Sequence, residues 1–558
     1  MHYQLSLPYG RGSAFGILLL ASVLASGAQE TELRDEAGKV IVRYAVEAPT
    51  GIASAGTIDP TKQVGLFICS PEHDRPTGDE MLPVRESLRR LGLSESFVIV
   101  GVHPQSQKFG PLDHEPIRKL IAWAMKTYPV NPRRIYMYGK GEGAKISGEF
   151  GTTNPNLITA GITYSWGWWM MPSELKRPID ERIDGPEYYM VLGMRDLATH
   201  IATVRDTYSR MQAKGYHTIY REFDDLGART YHPMSNDDAI AWAVRLRNKS
   251  IPPSAEELKL LRQPAISGGY YPALALVGGS AAGEAVRRLL DSKDAAVRVA
   301  AAETCGRAIF DESTLSALAK KLSDPEVRVR KTAITALAIN AQWRSAASQQ
   351  ALIAAALNTD PSADQSDRVS AVDGLCQAVR LQLKGVRQDP PVFKALVATL
   401  TDKNEDLRTM AANFLAPIRD GDFRGDAGRP EKKMPEGGWQ VWLDDITSKN
   451  ASYQKDYEVC GASGGSNEPA DLFCKGRGES PAEAFQTTMK AAEMGYVPAQ
   501  AALGMMYANG KGVQQNYAEA GNWWKKAAEG GHPLAKVNAP RAPKSYPEIP
   551  AGAYLRTQ

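Results

Sequence analysis

A glycine-rich turn at residues 139–143 is the part of this sequence whose residue types and spacing invite a chemical interpretation. An apolar, β-like run ends at Tyr138, the turn Gly-Lys-Gly-Glu-Gly follows, and a helical pattern begins after it. The spacing Gly-x-Gly-x-Gly differs from the Gly-x-Gly-x-x-Gly of a dinucleotide-binding loop. Gly141, at the centre, has no side chain that can attack a carbonyl carbon. The turn therefore does not predict a nucleotide-binding site. No cofactor is expected from the sequence.

The strand-turn-helix pattern resembles the nucleophile elbow of the α/β-hydrolases, Gly-x-Ser-x-Gly, a sharp turn that exposes the serine above the sheet. Gly139 and Gly143 match the flanking glycines, and Gly141 occupies the serine position. Without a hydroxyl, no nucleophile attacks and a base has no proton to take. The resemblance implies a hydrolase-like domain that has lost the covalent route, although ligand binding and oxyanion-stabilising amides can survive.

The resemblance extends over most of residues 29–255 and is to the secreted esterases and polyester depolymerases. It implies that Asp196, in the loop after the strand-like run 188–193, is the remnant acid, and that His232 is the remnant base. A terminal amphipathic helix, predicted at 237–247, closes the domain. The alternative for Asp196 and His232 is a hydrogen bond of structural value only.

A displaced nucleophile is the rival interpretation of the missing serine. Ser70 follows a predicted strand, at the place where the family builds its oxyanion hole, and His73 and Asp74 are close to it in sequence. The alternative is that Ser70 and the proline after it form a turn at the end of the strand. A water-mediated reaction through His232 and Asp196 is the remaining catalytic possibility.

A tryptophan cluster follows the next predicted strand and should lie near the mouth of the same cleft. Trp166, Trp168 and Trp169 present flat indoles that can stack on sugars or other flat ligands. The alternative is a cap packed against the sheet, which the flanking Met170 and Met171 suit.

The elements that must position these residues alternate between short apolar runs and amphipathic stretches. Continuous apolar strands between helices predict a mostly parallel, buried sheet with helices on both faces. The predicted strands include 64–69, 97–102, 135–138, 188–193 and 215–220.

Residues 256–420 are helical and alanine-rich and contain an internal repeat. The phrase that begins at Asp294 (Asp-Ala-Ala-Val-Arg-Val) recurs at Asp324 and, less cleanly, around Arg368 and Glu405. Each copy opens a helix with an acid, whose charge suits the helix dipole. The phrase resembles that of HEAT repeats, which implies stacked helix pairs around a continuous core.

A second repeat occupies residues 481–537. Ala-Ala-Glu-Met-Gly at 491–495 returns as Ala-Ala-Glu-Gly-Gly at 527–531, with Gly510 and Gly512 between them. This resembles a Sel-like repeat of the tetratricopeptide group, so the fold class is an α/β-hydrolase-like sheet followed by all-α solenoid repeats. Residues 421–480 are predicted to be a linker or irregular module. The last segment, 538–558, is a proline-rich tail.

The first 28 residues predict a secretory signal peptide. Arg11 precedes the apolar run 15–24, and Ser26-Gly27-Ala28 supplies small residues for cleavage. Export to the periplasm or the exterior follows, with an uncleaved anchor as the alternative. No transmembrane segment is expected after cleavage. Export permits a disulfide, for which Cys460 and Cys474 are the best pair, and no cysteine spacing fits a zinc site, so no metal is expected.

The charge balance excludes one class of partner. The chain has 66 basic and 63 acidic side chains, a formal net charge of +3, which argues against nucleic-acid binding by phosphate neutralisation. The sequence therefore predicts an exported scaffold that binds protein or peptide partners through its repeats. Its alternatives are an active ester or polymer hydrolase and a carbohydrate-binding protein. The oligomeric state is left open.

Overall fold

The computed structural model describes most of residues 31–422 and 481–530, with isolated residues between 438 and 473 and at 535. The gaps within the two main ranges are 53–54, 57–58, 72–79, 104–112, 166–184, 194–203, 206, 209–210, 213–215, 224–232, 384–386 and 511. The predicted signal peptide, the tail from residue 538, Cys460 and Cys474 lie outside the described residues.

Among the described residues of the N-terminal part, eight strands form one sheet. Its strands are β1 (Thr31–Arg34), β2 (Val40–Glu47), β3 (Val64–Ser70), β4 (Phe97–Val102), β5 (Val130–Lys140), β6 (Ala160–Tyr164), β7 (Glu187–Gly193) and β8 (Thr218–Phe223). The order is β1-β2-β4-β3-β5-β6-β7-β8, in which β1, β2 and β4 pair antiparallel and β4, β3 and β5 to β8 pair parallel. The carboxyl ends of β3 to β8 therefore lie at one edge of the sheet.

Helices cover both faces of the sheet. Helices α1 (Leu82–Arg90) and α4 (Pro233–Ala243) pack on one face, and α2 (His114–Thr127) and α3 (Glu142–Thr153) pack on the other. With both faces covered, strands such as β3 and β4 are buried along their whole length. This arrangement confirms the predicted α/β-hydrolase-like sheet.

Three predicted elements differ in their bounds by three residues or more. Strand β8 runs from Thr218 to Phe223 rather than over 215–220. Strand β5 begins at Val130 rather than at residue 135, because Arg133 and Arg134 are buried in the fold and the apolar pattern does not reveal them as strand residues. Helix α4 begins at Pro233 rather than at 237. Proline has a fixed φ that suits the first turn of a helix, so it does not prevent this start.

An ion cluster lies at the amino edge of the sheet, opposite the turn at 139–143. The Glu187 carboxylate lies 2.6 Å from His217 Nδ1 and 2.6 Å from Lys249 Nζ. Burial opposes ionisation of Glu187, but its interactions with Lys249 and His217 outweigh this effect and hold the pKa of the Glu187 carboxyl well below its usual range.

Within the described part of residues 255–422, ten α-helices follow the sheet domain and form a solenoid. They are α5 (Ala255–Leu260), α6 (Pro272–Val277), α7 (Gly279–Leu290), α8 (Ala295–Cys305), α9 (Glu312–Ala319), α10 (Val327–Gln342), α11 (Ala346–Ala356), α12 (Gln365–Val379), α13 (Pro390–Thr399) and α14 (Glu405–Asp422). One continuous apolar core runs through them. Acidic residues cap several of the helices: Asp294 accepts a hydrogen bond from Ala296 N (2.8 Å) and Asp364 accepts one from Ser366 N (2.9 Å).

The repeated phrase has a second role, which is to join successive repeats. The arginine of each phrase binds the acid of the next repeat. The pairs are Arg298 with Asp324 (2.8 Å), Arg330 with Asp364 (2.8 Å) and Arg368 with Asp402. Because each pair spans two repeats, the spacing of the phrase along the sequence follows the stacking of the helix pairs.

The C-terminal repeat has three helices, α15 (Pro481–Glu493), α16 (Val497–Asn509) and α17 (Tyr517–Glu529). Gly510 ends α16 with φ 62°, a left-handed conformation that glycine adopts without strain. The Trp524 indole donates to the carbonyl of Ala501 at 3.2 Å and packs against Gly504, which leaves no room for a larger residue. Small residues thus set the close packing of α16 and α17.

Candidate functional site

Gly141 is the single residue between strand β5 and helix α3. Its backbone has φ 56° and ψ −127°, a conformation that residues with a side chain rarely adopt. Its N–H donates to the carbonyl of Tyr164 at 3.0 Å, and its carbonyl accepts from Ala144 N at 2.9 Å. The chain thus changes from strand to helix within one residue, and that residue is held by the neighbouring strand β6.

The flanking glycines are required for a different reason, which is close backbone approach. A Cβ atom added to Gly139 would lie 2.1 Å from the carbonyl oxygen of Gly143. One added to Gly143 would lie 2.2 Å from the carbonyl oxygen of Ser70 and 2.5 Å from that of Pro71. The start of α3 therefore rests directly on the end of β3. The spacing Gly-x-Gly-x-Gly is explained by geometry at all three positions.

The remaining predicted site residues follow strands that end beside Gly141. Strand β7 ends at Gly193, shortly before Asp196, and β6 ends at Tyr164, shortly before the tryptophan cluster. Because these strands are parallel to β5, their last residues share its carboxyl edge. Asp196, His232, Trp166, Trp168 and Trp169 themselves lie outside the described residues, so their positions remain predictions.

Helix α4, which begins directly after His232 in the sequence, is fixed to the sheet by its first two turns. Three buried side chains of these turns each bond to a tyrosine on a different strand. The pairs are Ser235 with Tyr164 on β6 (3.4 Å), Asn236 with Tyr138 on β5 (2.9 Å) and Asp238 with Tyr189 on β7. The apolar pattern of the sequence did not predict this polar segment, although four consecutive polar residues near the start of an apolar helix were a visible signal.

Ser70 ends strand β3 beside the turn. Its side chain is buried, with 2% of the residue exposed, and its hydroxyl has no hydrogen-bond partner among the residues that the structure describes. Register places Ser70 opposite Gly139, and its carbonyl lies under the start of α3. A nucleophile must reach its substrate, and this degree of burial does not suit that role. His73 and Asp74 lie outside the described residues.

A buried acid–histidine pair, also missed by sequence reasoning, lies at the same edge. His103 follows β4 and Glu80 precedes α1, and His103 Nε2 lies 3.5 Å from Glu80 Oε1. Burial, together with the charge of Glu80, raises the pKa of the Cys69 thiol well above its usual value. Cys69 is thus an inert core residue and not a substitute nucleophile.

The described residues lack two further kinds of feature. They contain no cluster of histidine, cysteine, aspartate and glutamate side chains arranged to hold a metal ion. Within the same residues, no helix combines the length and the apolar character needed to cross a membrane.

Comparison with protein-family models identifies the two repeat regions. Residues 283–373 match the model for HEAT repeats, and residues 497–532 match the model for the Sel1 repeat. Both predicted repeat types are thereby confirmed. Repeats of these kinds are typical protein-interaction modules. No curated protein matches the chain.

Solved structures of esterases are similar to the sheet domain. A thermostable esterase is 16% identical to this chain (TM-score 0.30). The match covers 39% of this chain and 62% of the esterase. An S-formylglutathione hydrolase from Staphylococcus aureus is 11% identical (TM-score 0.30), over 39% of this chain and 98% of its own length. An esterase from Thermogutta terrifontis is 12% identical (TM-score 0.28), over 37% of this chain and 85% of its own length.

Proposed function

We propose that this chain is an exported binding or scaffolding protein. Its hydrolase-like domain keeps a ligand cleft without a nucleophile, and its helical repeats bind protein or peptide partners. Export rests on the signal peptide predicted at residues 1–28.

The conformation of Gly141 is the observation that carries the proposal. The residue has the sharp strand-to-helix turn in which hydrolases hold their nucleophile, yet it has no side chain. Gly139 and Gly143 permit the close approach of β5, α3 and β3 that the turn requires. A degenerate loop would not need this set of contacts. The turn therefore supports a cleft that was kept after covalent catalysis was lost, with Asp196 and His232 as its proposed remnants.

A second candidate function, sugar binding, is favoured by one observation. Ser165, directly before Trp166, is buried and has φ 61°, a left-handed conformation that is costly for a residue with a side chain. Strain of this kind is concentrated at ligand sites. Binding on a glycan array that is lost in Trp168→Ala would establish this function. If the native chain binds no glycan on the array, sugar binding is excluded as a function.

The main proposal is tested by restoring the missing side chain. Short acyl esters would be offered to the native chain, to Gly141→Ser and to Gly141→Ser combined with His232→Ala. We expect turnover only in Gly141→Ser, because only that variant would have both a hydroxyl and a base. Turnover by the native chain that is lost in His232→Ala would instead show an active hydrolase with a displaced nucleophile.

A further inference from the structure

The solenoid covers the open edge of the sheet. Strand β8 is the last strand, and an uncovered edge strand exposes backbone groups that can pair with other chains. Solenoid residues bond to this edge at three places. The contacts are Tyr220 N to Gln388 Oε1 (3.1 Å), Arg344 to Thr218 O (3.3 Å) and Arg221 to Gln342 O (2.8 Å). The solenoid thus covers strand β8 and supplies hydrogen-bond partners to this edge of the sheet.

A second set of contacts reaches helix α4. Trp343 belongs to the solenoid in sequence, but it is only 6% exposed and lies in the core of the sheet domain, where the Arg245 guanidinium stacks on its ring at 5.0 Å. Its indole Nε1 donates to Asp238 Oδ1 at 3.0 Å, and the Gln342 amide donates to the same oxygen. Tyr189 on β7 donates to the other oxygen. Asp238 therefore receives donors from both modules.

The backbone at this junction is strained. Arg344 has φ 66°, and only one other described residue with a side chain, Ser165, has a positive φ. The side chain of Arg344 is held by Asp389 at 3.4 Å and by the carbonyl of Thr218. Strain persists where surrounding contacts over-determine the geometry. The junction is therefore a specifically built contact between the two modules.

We propose that the solenoid positions the histidine side of the cleft and that Asp238 is the positioning residue through which it acts. This inference rests on the proposed function, in which His232 faces the cleft. Pro233 is the first residue of α4 and follows His232 directly in the sequence. Asp238, in the second turn of α4, bonds both to β7 and to the solenoid. Its role is to hold geometry and not to contact a ligand.

The test uses the full chain with Gly141→Ser, in which the rate of fluorophosphonate labelling at position 141 depends on His232. Adding Trp343→Phe keeps an aromatic ring against Arg245 but removes the N–H that binds Asp238. We expect the labelling rate to fall about 10- to 100-fold, since small displacements of a reacting group have effects of this size. Trp524→Phe is the matched control, because it also removes one buried indole donor, in the C-terminal repeat, and should leave the rate unchanged.

Two additions keep the inference open to refutation. Gln342→Ala removes the other solenoid donor to Asp238 without opening the core and serves if Trp343→Phe does not fold. If Gly141→Ser is not labelled at all, the proposed function fails, and positioning is then measured in the native background from the NMR titration of His232. A labelling rate or titration equal to that of the Trp524→Phe control would overturn the inference.

Discussion

Replacing Gly143 by alanine tests whether the start of α3 is seated on strand β3. The new Cβ atom would lie 2.2 and 2.5 Å from two backbone carbonyl oxygens, those of Ser70 and Pro71, which cannot rotate away. Overpacking of this kind costs about 3 kcal/mol, and removing a helical glycine returns about 0.5–1 kcal/mol. We therefore expect a net loss of about 2 kcal/mol or more in the free energy of unfolding.

Hydrogen exchange of the β5 amides, measured by mass spectrometry, reports this loss. A net loss of about 2 kcal/mol corresponds to exchange faster by about 30-fold. Gly141→Ala should be milder, at about 1–2 kcal/mol, because its cost comes from positive φ. Gly38→Ala is the control: it has φ 79° and no atom near the new Cβ, in the exposed turn between β1 and β2, so β5 should exchange as in the native chain. Native exchange of β5 in Gly143→Ala would refute the geometry of the turn.

Three further predictions concern the rest of the chain. Asp402→Asn leaves the buried Arg368 without its ionic partner and should destabilise the solenoid by about 3 kcal/mol, seen as a lower melting temperature in calorimetry. An unchanged melting temperature would contradict the role of this ion pair in joining successive repeats. Glu187 has a lowered pKa, so its stabilisation is complete above the ordinary value of 4.5 and is lost as pH falls below it. The destabilisation caused by Glu187→Gln at neutral pH should therefore fade in acid, and a constant difference would contradict this. Burial raises the pKa of Cys305 and Cys376 to about 12, so neither should react with iodoacetamide before unfolding, and modification of the native chain would count against their burial.

Sequence patterns predicted the elements whose signal is local. Strand β4 has the predicted bounds, 97–102, because a short β-branched run flanked by polar residues is complete in itself. The Asp…Val-Arg phrase predicted the solenoid because each repeat carries its own cap and its own arginine. The elbow was recognisable because three glycines stand at fixed spacing. Gly141 is required by its positive φ, and Gly139 and Gly143 are required by close backbone contacts.

Contacts between distant segments could not be predicted in the same way. In the sequence, Trp343 is an apolar residue at the end of a repeat helix. No neighbouring residue in the sequence indicates that Asp238 is its hydrogen-bond partner. Glu80 and His103 meet only because β3 and β4 are neighbours in the sheet. An apolar pattern shows that a side chain is buried, but the partner depends on the order in which the strands and repeats assemble.

We propose that the turn at Gly141 frames a cleft without a nucleophile. Mass spectrometry of the unaltered chain after treatment with a fluorophosphonate can establish whether any serine acts as one. We predict that no serine is labelled in a His232-dependent manner, since position 141 offers no hydroxyl and Ser70 is buried. Labelling of any serine that disappears in His232→Ala would contradict the account and identify an active hydrolase.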